Sequence, residues 1–349
     1  MLNKQKPLPY FGIFSQWTYD IIKKNVDWED MIMKKMYLAN FNLTFGKDDE
    51  PLLNWIDEFV VPALNSGIKR ELSNKAQIMF EDVRIEEIEK DNLVLTGVII
   101  KDTIIDIYAQ YSKEIGLIDT EQHHNSAPYS VFMIFLNNHR MVLIKRQSES
   151  PDLRLFTSTL MDILKDYRKL ENQKRREQKE KLLPYAINGI KAIKTEKDIT
   201  AALQSVKKIK KLTLKLLPRN NELGGWSGLI DGLDDQIRKA SNSKTVKVVV
   251  SSPQSKSGVE KIIKATNGLM KTDLEVEYYS DSMGDEGAEY KRTGRIRDDQ
   301  LSEAMDVEIT DDLRDSPEAV YQCCKDIESI NVTTTNIVDY QKYLEQRKR

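Results

Sequence analysis

SVFMIFLNNHRMVLIKRQSESPDLRLFTSTLMDILKDYRKLENQKRREQKEK, residues 130–181, decides how this chain folds. Two apolar runs, Val131–Leu136 and Met141–Ile144, flank Asn137-Asn138. Asparagine tolerates positive φ, so the spacing predicts a β-hairpin closed by the asparagine pair. Ser150-Pro151 then reads as a helix N-cap and first helical residue. Phe156, Leu160, Ile163, Leu164 and Tyr167 follow at i, i+4, i+7, i+8 and i+11, one helical face. Beyond them the stripe stops, and Arg168–Lys181 holds seven Lys or Arg, three Glu and one Leu. A helix whose buried face ends is expected to leave its domain, so this stretch reads as a seam between two domains.

On the N-terminal side, Leu8–Phe14 reads as a strand. Residues 18–40 read as a helix, with Trp17, Ile21, Trp28, Ile32 and Met36 on one apolar face. Asp49-Glu50-Pro51 is a helix start, continuing through Trp55, Phe59 and Val60 to Gly67. From Gln77 the period changes. Ile78–Phe80, Val83–Ile88 and Leu93–Tyr108 are rich in β-branched residues, and Lys90-Asp91-Asn92 supplies a hairpin turn. Gly116–Ala127, which holds His123 and His124, reads as a polar loop, and His139 as a surface residue. These elements predict an antiparallel sheet with helices grouped on one side, residues 1–165.

On the C-terminal side the pattern alternates. Ala186–Ile193, Lys211–Leu217, Val246–Ser251, Leu274–Tyr279, Glu289–Arg297 and Met305–Ile309 read as strands. Helices are expected from Thr195 to Val206, from Glu222 to Ala240 and from Gly258 to Met270. Ser316-Pro317 caps a last one holding Cys323 and Cys324. The fold class expected is α+β / α/β. The charged helix of residues 166–184 joins the first domain to an alternating strand–helix domain, residues 185–328, ferredoxin-like or a small open sheet. Residues 329–349 read as a peripheral tail.

At 349 residues, two domains are the natural size class. No apolar run approaches a membrane span, and the N-terminus lacks the apolar core and cleavage site of a signal peptide. Only two cysteines occur and they are adjacent, so no loop-closing disulfide is available and a cytoplasmic home is expected. The net charge of −2 hides segregation. Residues 1–150 balance at −5, residues 165–219 at +11 and residues 273–349 at −10. The basic middle suits phosphates or the acidic C-terminal region.

Catalytic patterns are sparse. Neither GxxxxGK[ST] nor GxGxxG occurs, and Gly224, Gly225 and Gly228 lack the Lys-Ser a phosphate cradle needs. Three histidines and an adjacent cysteine pair make no zinc spacing, and GxSxG and HExxH are missing. No metal and no cofactor are expected. Glu289-Tyr290-Lys291, preceded by Asp281 and Asp285, resembles the Asp…Glu-x-Lys set of restriction-type nucleases. There two carboxylates hold Mg²⁺ and Lys steadies the attacked phosphate. Against this, the hairpin is charged throughout. Asp311, Asp312 and Asp315 suit the start of the following helix.

Two basic surfaces stand out. Alternation places Lys291, Thr293, Arg295 and Arg297 on one strand face, able to track a phosphate backbone or to pair with Glu275 and Glu277 across the strand. The other surface joins Lys174, Arg175 and Arg176 to Lys207, Lys208, Lys210 and Lys211. The expectation is a non-enzymatic protein that binds a macromolecule, nucleic acid first. A Lys/Ile/Asn-rich chain without metabolic motifs also fits a bacterial or phage component of host–virus conflict, an antiviral defence role. The alternatives are a metal-dependent nuclease and a structural subunit whose basic seam docks on an acidic surface of a protein partner or second copy.

Overall fold

The computed structural model describes residues 32–73, 76–216, 245–266, 268–279, 292–302, 304–309, 316–332 and 337–348, with 237, 240, 241 and 243 placed singly. In chain order the elements are β1 (Ile32–Asn40), β2 (Leu43–Phe45), α1 (Val61–Leu64), β3 (Arg70–Glu71), β4 (Gln77–Glu89), β5 (Asn92–Ser112) and β6 (Gly116–Ser126). Next come β7 (Tyr129–Phe135), β8 (Arg140–Lys145), α2 (Leu153–Gln178), β9 (Ala186–Asn188), β10 (Lys191–Ala192), α3 (Glu196–Gln204) and β11 (Val206–Leu216). The chain ends with β12 (Val246–Ser251), α4 (Lys256–Ala265), β13 (Met270–Tyr278), β14 (Thr293–Ile296), β15 (Met305–Ile309), α5 (Pro317–Cys324) and α6 (Ile337–Lys348). The expected Leu8–Phe14 strand and Glu222–Ala240 helix lie outside the described residues, apart from 237 and 240.

The architecture is α+β, with a curled antiparallel sheet and several helices. Nine strands form the main sheet in the order β10-β1-β8-β7-β5-β4-β3, with β15 also on β1 and β6 on β5. The expected hairpin is present as β7–β8, and it sits at the centre of this sheet. Its turn works differently in detail. His139, not an asparagine, takes positive φ (54°). Asn138 closes the turn with its side chain, Oδ1 accepting from Arg140 N at 3.0 Å and Nδ2 donating to Ile330 O at 2.8 Å. His139 is fully buried, which corrects the surface assignment.

Each face of this sheet carries a core. On one, Phe156, Leu160, Ile163 and Leu164 of α2 pack with Phe41, Phe80, Phe132 and Ile99. On the other, Val320 and Cys324 of α5 join Met36, Val94, Met133 and Ile144. The helices α1 and α2 lie on one face, and α5, from outside residues 1–165, covers the other. A second antiparallel sheet, β12-β11-β13-β14, packs Leu212, Leu274 and Val276 against Ile199 of α3 and Ile263 of α4.

Three further expectations are corrected. Residues 32–40 form β1, not the end of a helix. Both faces of this strand are covered, Met36 and Leu38 in one core and Ala39 in the other, so strict alternation is absent and Ile32/Met36 mimic an i, i+4 pair. The N-cap of α2 is Asp152, whose Oδ1 accepts from Leu155 N at 2.8 Å, while Ser150 Oγ accepts from Gln147 N. The C-terminal residues are not peripheral. Tyr340 and Tyr343 of α6 are buried in the first core, and Tyr340 Oη accepts from Leu93 N and donates to Asp91 O, both at 2.8 Å.

The buried side of α2 also continues past Tyr167. Asn172 is buried and exchanges two hydrogen bonds with Leu183 as the chain turns back, and Arg175 lies 2.7 Å from Glu58. Lys179 ends the helix in the left-handed region at φ 59°.

Candidate functional site

Residues 116–126, expected to be a loop, form β6 and pair with the distal half of β5. β5 has β4 on one side as far as Asp102 and β7 on the other as far as Ile100. From Thr103 its one partner is β6, so the two strands leave the sheet as a ribbon with both outer edges open among the described residues. Ten residues at the strand rise give the ribbon a reach of about 33 Å. Gly116, at φ 85°, closes the tip in a conformation that side chains resist.

The side chains on this arm are unusual for a surface. Ile104, Ile105, Tyr108, Tyr111, Ile115, Leu117 and Ile118 are exposed, seven of the fifteen large apolar or aromatic residues exposed among the described residues. Leu117, at the tip, is 73% exposed. Register puts Ile105, Ile107, Tyr111 and Leu117 on one face and Ile104, Gln110 and Ile118 on the other, so both faces carry apolar side chains among polar ones. Isolated singletons of this kind need no explanation, but a contiguous group marks a contact surface. Residues 101–126 also carry two Lys against five Asp or Glu, a balance of −3. His123 Nδ1 lies 2.6 Å from Asp106 Oδ1 across the two strands.

No protein-family model matches the chain, and no curated protein is similar to it. The arm's own geometry therefore carries the functional argument.

The basic residues singled out from the sequence fall in two places. On the second sheet, Glu275 accepts from Lys211 at 2.6 Å and from Arg295 at 3.3 Å, and Glu277 lies 3.7 Å from Lys210. Of these, the Arg295–Glu275 contact is one of the cross-strand pairs weighed above against phosphate contact; the other two come from Lys211 and Lys210 of β11. The two cations beside Glu275 hold its carboxyl below the usual range, Lys211 first. Lys208 and Arg297 are exposed and Lys207 is half-buried. On α2, Arg175 pairs with Glu58 and Glu171, Lys174 reaches Glu171 at 3.4 Å, and Arg176 is exposed. The two groups lie on separate elements, α2 against β11 and β14. Asp281, Asp285, Glu289 and Lys291 lie outside the described residues.

Other reactive groups are tied up structurally. Burial pushes the Cys324 thiol up to about 12 and raises that of Cys323, whose Sγ donates to Ala319 O at 3.0 Å. Neither is a thiolate at neutral pH. Among the described residues no three His, Cys, Asp or Glu gather in a metal-holding group, and no helix is long and apolar enough to cross a membrane.

Proposed function

We propose that this protein is a non-enzymatic assembly subunit that pairs with a second copy of itself, the β5–β6 arm of each docking on the basic half of α2 in the other. The observation that carries this reading is the arm with seven exposed apolar and aromatic side chains and two open edges. A two-stranded ribbon is marginal alone in water and gains stability when a partner covers a face or adds a strand.

Charge selects the occupant. An arm with a balance of −3 repels phosphate, which argues against nucleic acid as its ligand and for a basic protein surface. Residues 165–181 carry eight Lys or Arg against four Asp or Glu, and exposed Leu170 and Leu182 supply apolar contact beside them. Reciprocal docking of one arm on each partner gives a closed two-fold pair.

The test is the mass of the full chain in solution by light scattering after gel filtration, at low and high salt. A dimer is expected, weakened at high salt because ion pairs contribute to it. Tyr111→Asp with Leu117→Asp is expected to give a monomer with an unchanged far-UV circular dichroism spectrum, since neither side chain packs in a core, and with a melting temperature lowered by the loss of the partner. Arg176→Glu is expected to weaken the dimer from the other side. A monomer at every concentration and salt overturns the reading. Fluorescence anisotropy with oligonucleotides runs in parallel, and salt-sensitive binding by a monomer would favour the nucleic-acid alternative through Lys208, Arg297 and Arg176.

A further inference from the structure

A second site lies at the root of the arm. The sheet face covered by α2 is apolar through Ile78, Ile99 and Phe132, and beyond them, beside the first turns of α2, cations line the same face. Register shows why they meet. Arg70 pairs with Ile78, Ile78 with Lys101, Ile99 with Ser130 and Ser130 with Lys145, so three cations from β3, β5 and β8 share one end of one face. The first turns of α2 form the opposite wall with Arg154, Leu155 and Ser158. The cleft between them has a volume of about 430 Å³.

Four cations line this cleft against two carboxylates, Glu149 and Asp152. Both carboxylates are engaged locally, Asp152 with Leu155 N at 2.8 Å and Glu149 with Ser148 Oγ at 3.0 Å. Asp152 thereby caps α2 itself, so the attraction for an anion comes from side chains and not from the helix terminus. Arg70 is braced by Asp162 at 2.8 Å and by Ser158, and Lys145 donates to Ser148 O. Lys101 and Arg154 have no side-chain hydrogen bond or ion pair among the described residues, and they face the same space.

We infer that this cleft binds a small phosphorylated molecule. Its volume is in the range of small-ligand sites, and Leu155 is the one apolar side chain among the described residues that line it. Among the described residues it has no aromatic platform for stacking a base, so recognition rests on the phosphate groups. Arg70 offers a planar fork already held in place, while Lys101 and Lys145 act as point charges.

The experiment is titration calorimetry of the full chain with pyrophosphate, with inorganic phosphate and with a single-stranded oligonucleotide as separate probes. Pyrophosphate is expected to bind more tightly than phosphate. Lys101→Met and Arg154→Gln are each expected to lose about tenfold in affinity, the usual worth of one charge-assisted contact. Both side chains are without partners among the described residues, so folding is not at stake in either variant. Three results overturn the proposal: no heat with pyrophosphate or phosphate, affinity unchanged in both variants, or an oligonucleotide that outcompetes pyrophosphate and loses affinity in the same variants. The outcome is independent of self-association, which is read from mass.

Discussion

Phe156→Ala is expected to destabilise the protein by about 3–5 kcal/mol, the range for removing a fully buried aromatic ring. Phe156 is 0% exposed and sits where α2 meets the sheet. Its ring lies 5.3 Å from that of Phe80, 5.2 Å from Phe132 and 6.4 Å from Phe41, all in edge-on arrangements. The substitution removes the transfer free energy of the ring and three aromatic contacts worth about 0.5–1.5 kcal/mol each. The four rings come from β4, β7, α2 and the turn after β1, so no single neighbour can move to fill the space without shifting a strand. Urea unfolding followed by far-UV circular dichroism measures the change, with the m-value expected to hold. A loss below about 1 kcal/mol would mean that the core collapses around the gap, and that the helix is not keyed to the sheet by this residue.

This cluster was legible in the sequence because its signal is periodic. The i, i+4, i+7 stripe from Phe156 identified the buried face of α2, and the β-branched runs around Leu95 and Phe132 identified two strands beneath it. The arm was not legible as a strand. Gly116–Ser126 has one open face on each side and no core to alternate against, so its sequence is polar and reads like a loop. Its apolar residues on β5 were visible, but as far as Tyr108 they read as part of one strand, Leu93–Tyr108. Only pairing distinguishes these, since β4 and β7 stop at Asp102 and Ile100 while β5 runs on to Ser112.

The cationic cleft was hidden for a different reason. Arg70, Lys101, Lys145 and Arg154 are spread over 84 positions of sequence, Arg70 and Lys145 each with one basic neighbour and none of the four in a longer basic run. A charge count finds runs, and these four residues are brought together by strand register instead. The basic run on α2 was found by that count, but its attachment was missed. One asparagine among lysines and arginines gives no periodic signal, yet Asn172, with Arg175, ties the basic half of the helix to the body.

Asn172→Ala is accordingly expected to cost about 2–5 kcal/mol, far more than its place in a charged stretch suggests. Its Nδ2 donates to Leu183 O at 3.0 Å, and its Oδ1 accepts from Leu183 N at 2.7 Å. Leu183 is itself 2% exposed, so truncation strands one buried N–H and one buried C=O, each worth about 1–3 kcal/mol when left unpaired. Lys174→Ala, two positions on, is the control. Its side chain is 69% exposed and pairs only with Glu171 at 3.4 Å, so the change is expected to stay within about 0.5 kcal/mol. Amide exchange at Leu183 gives the local reading, with protection lost in Asn172→Ala and kept in Lys174→Ala. Losing that anchor leaves the last turns of α2 held to residues 181–183 by Arg175 alone, which donates to Lys181 O at 2.9 Å, and so loosens the basic surface offered to the partner's arm. Asn172→Ala should therefore weaken the dimer without touching an arm residue or a charge. If exchange at Leu183 quickens and the dimer is unchanged, the arm docks elsewhere than on this half of α2.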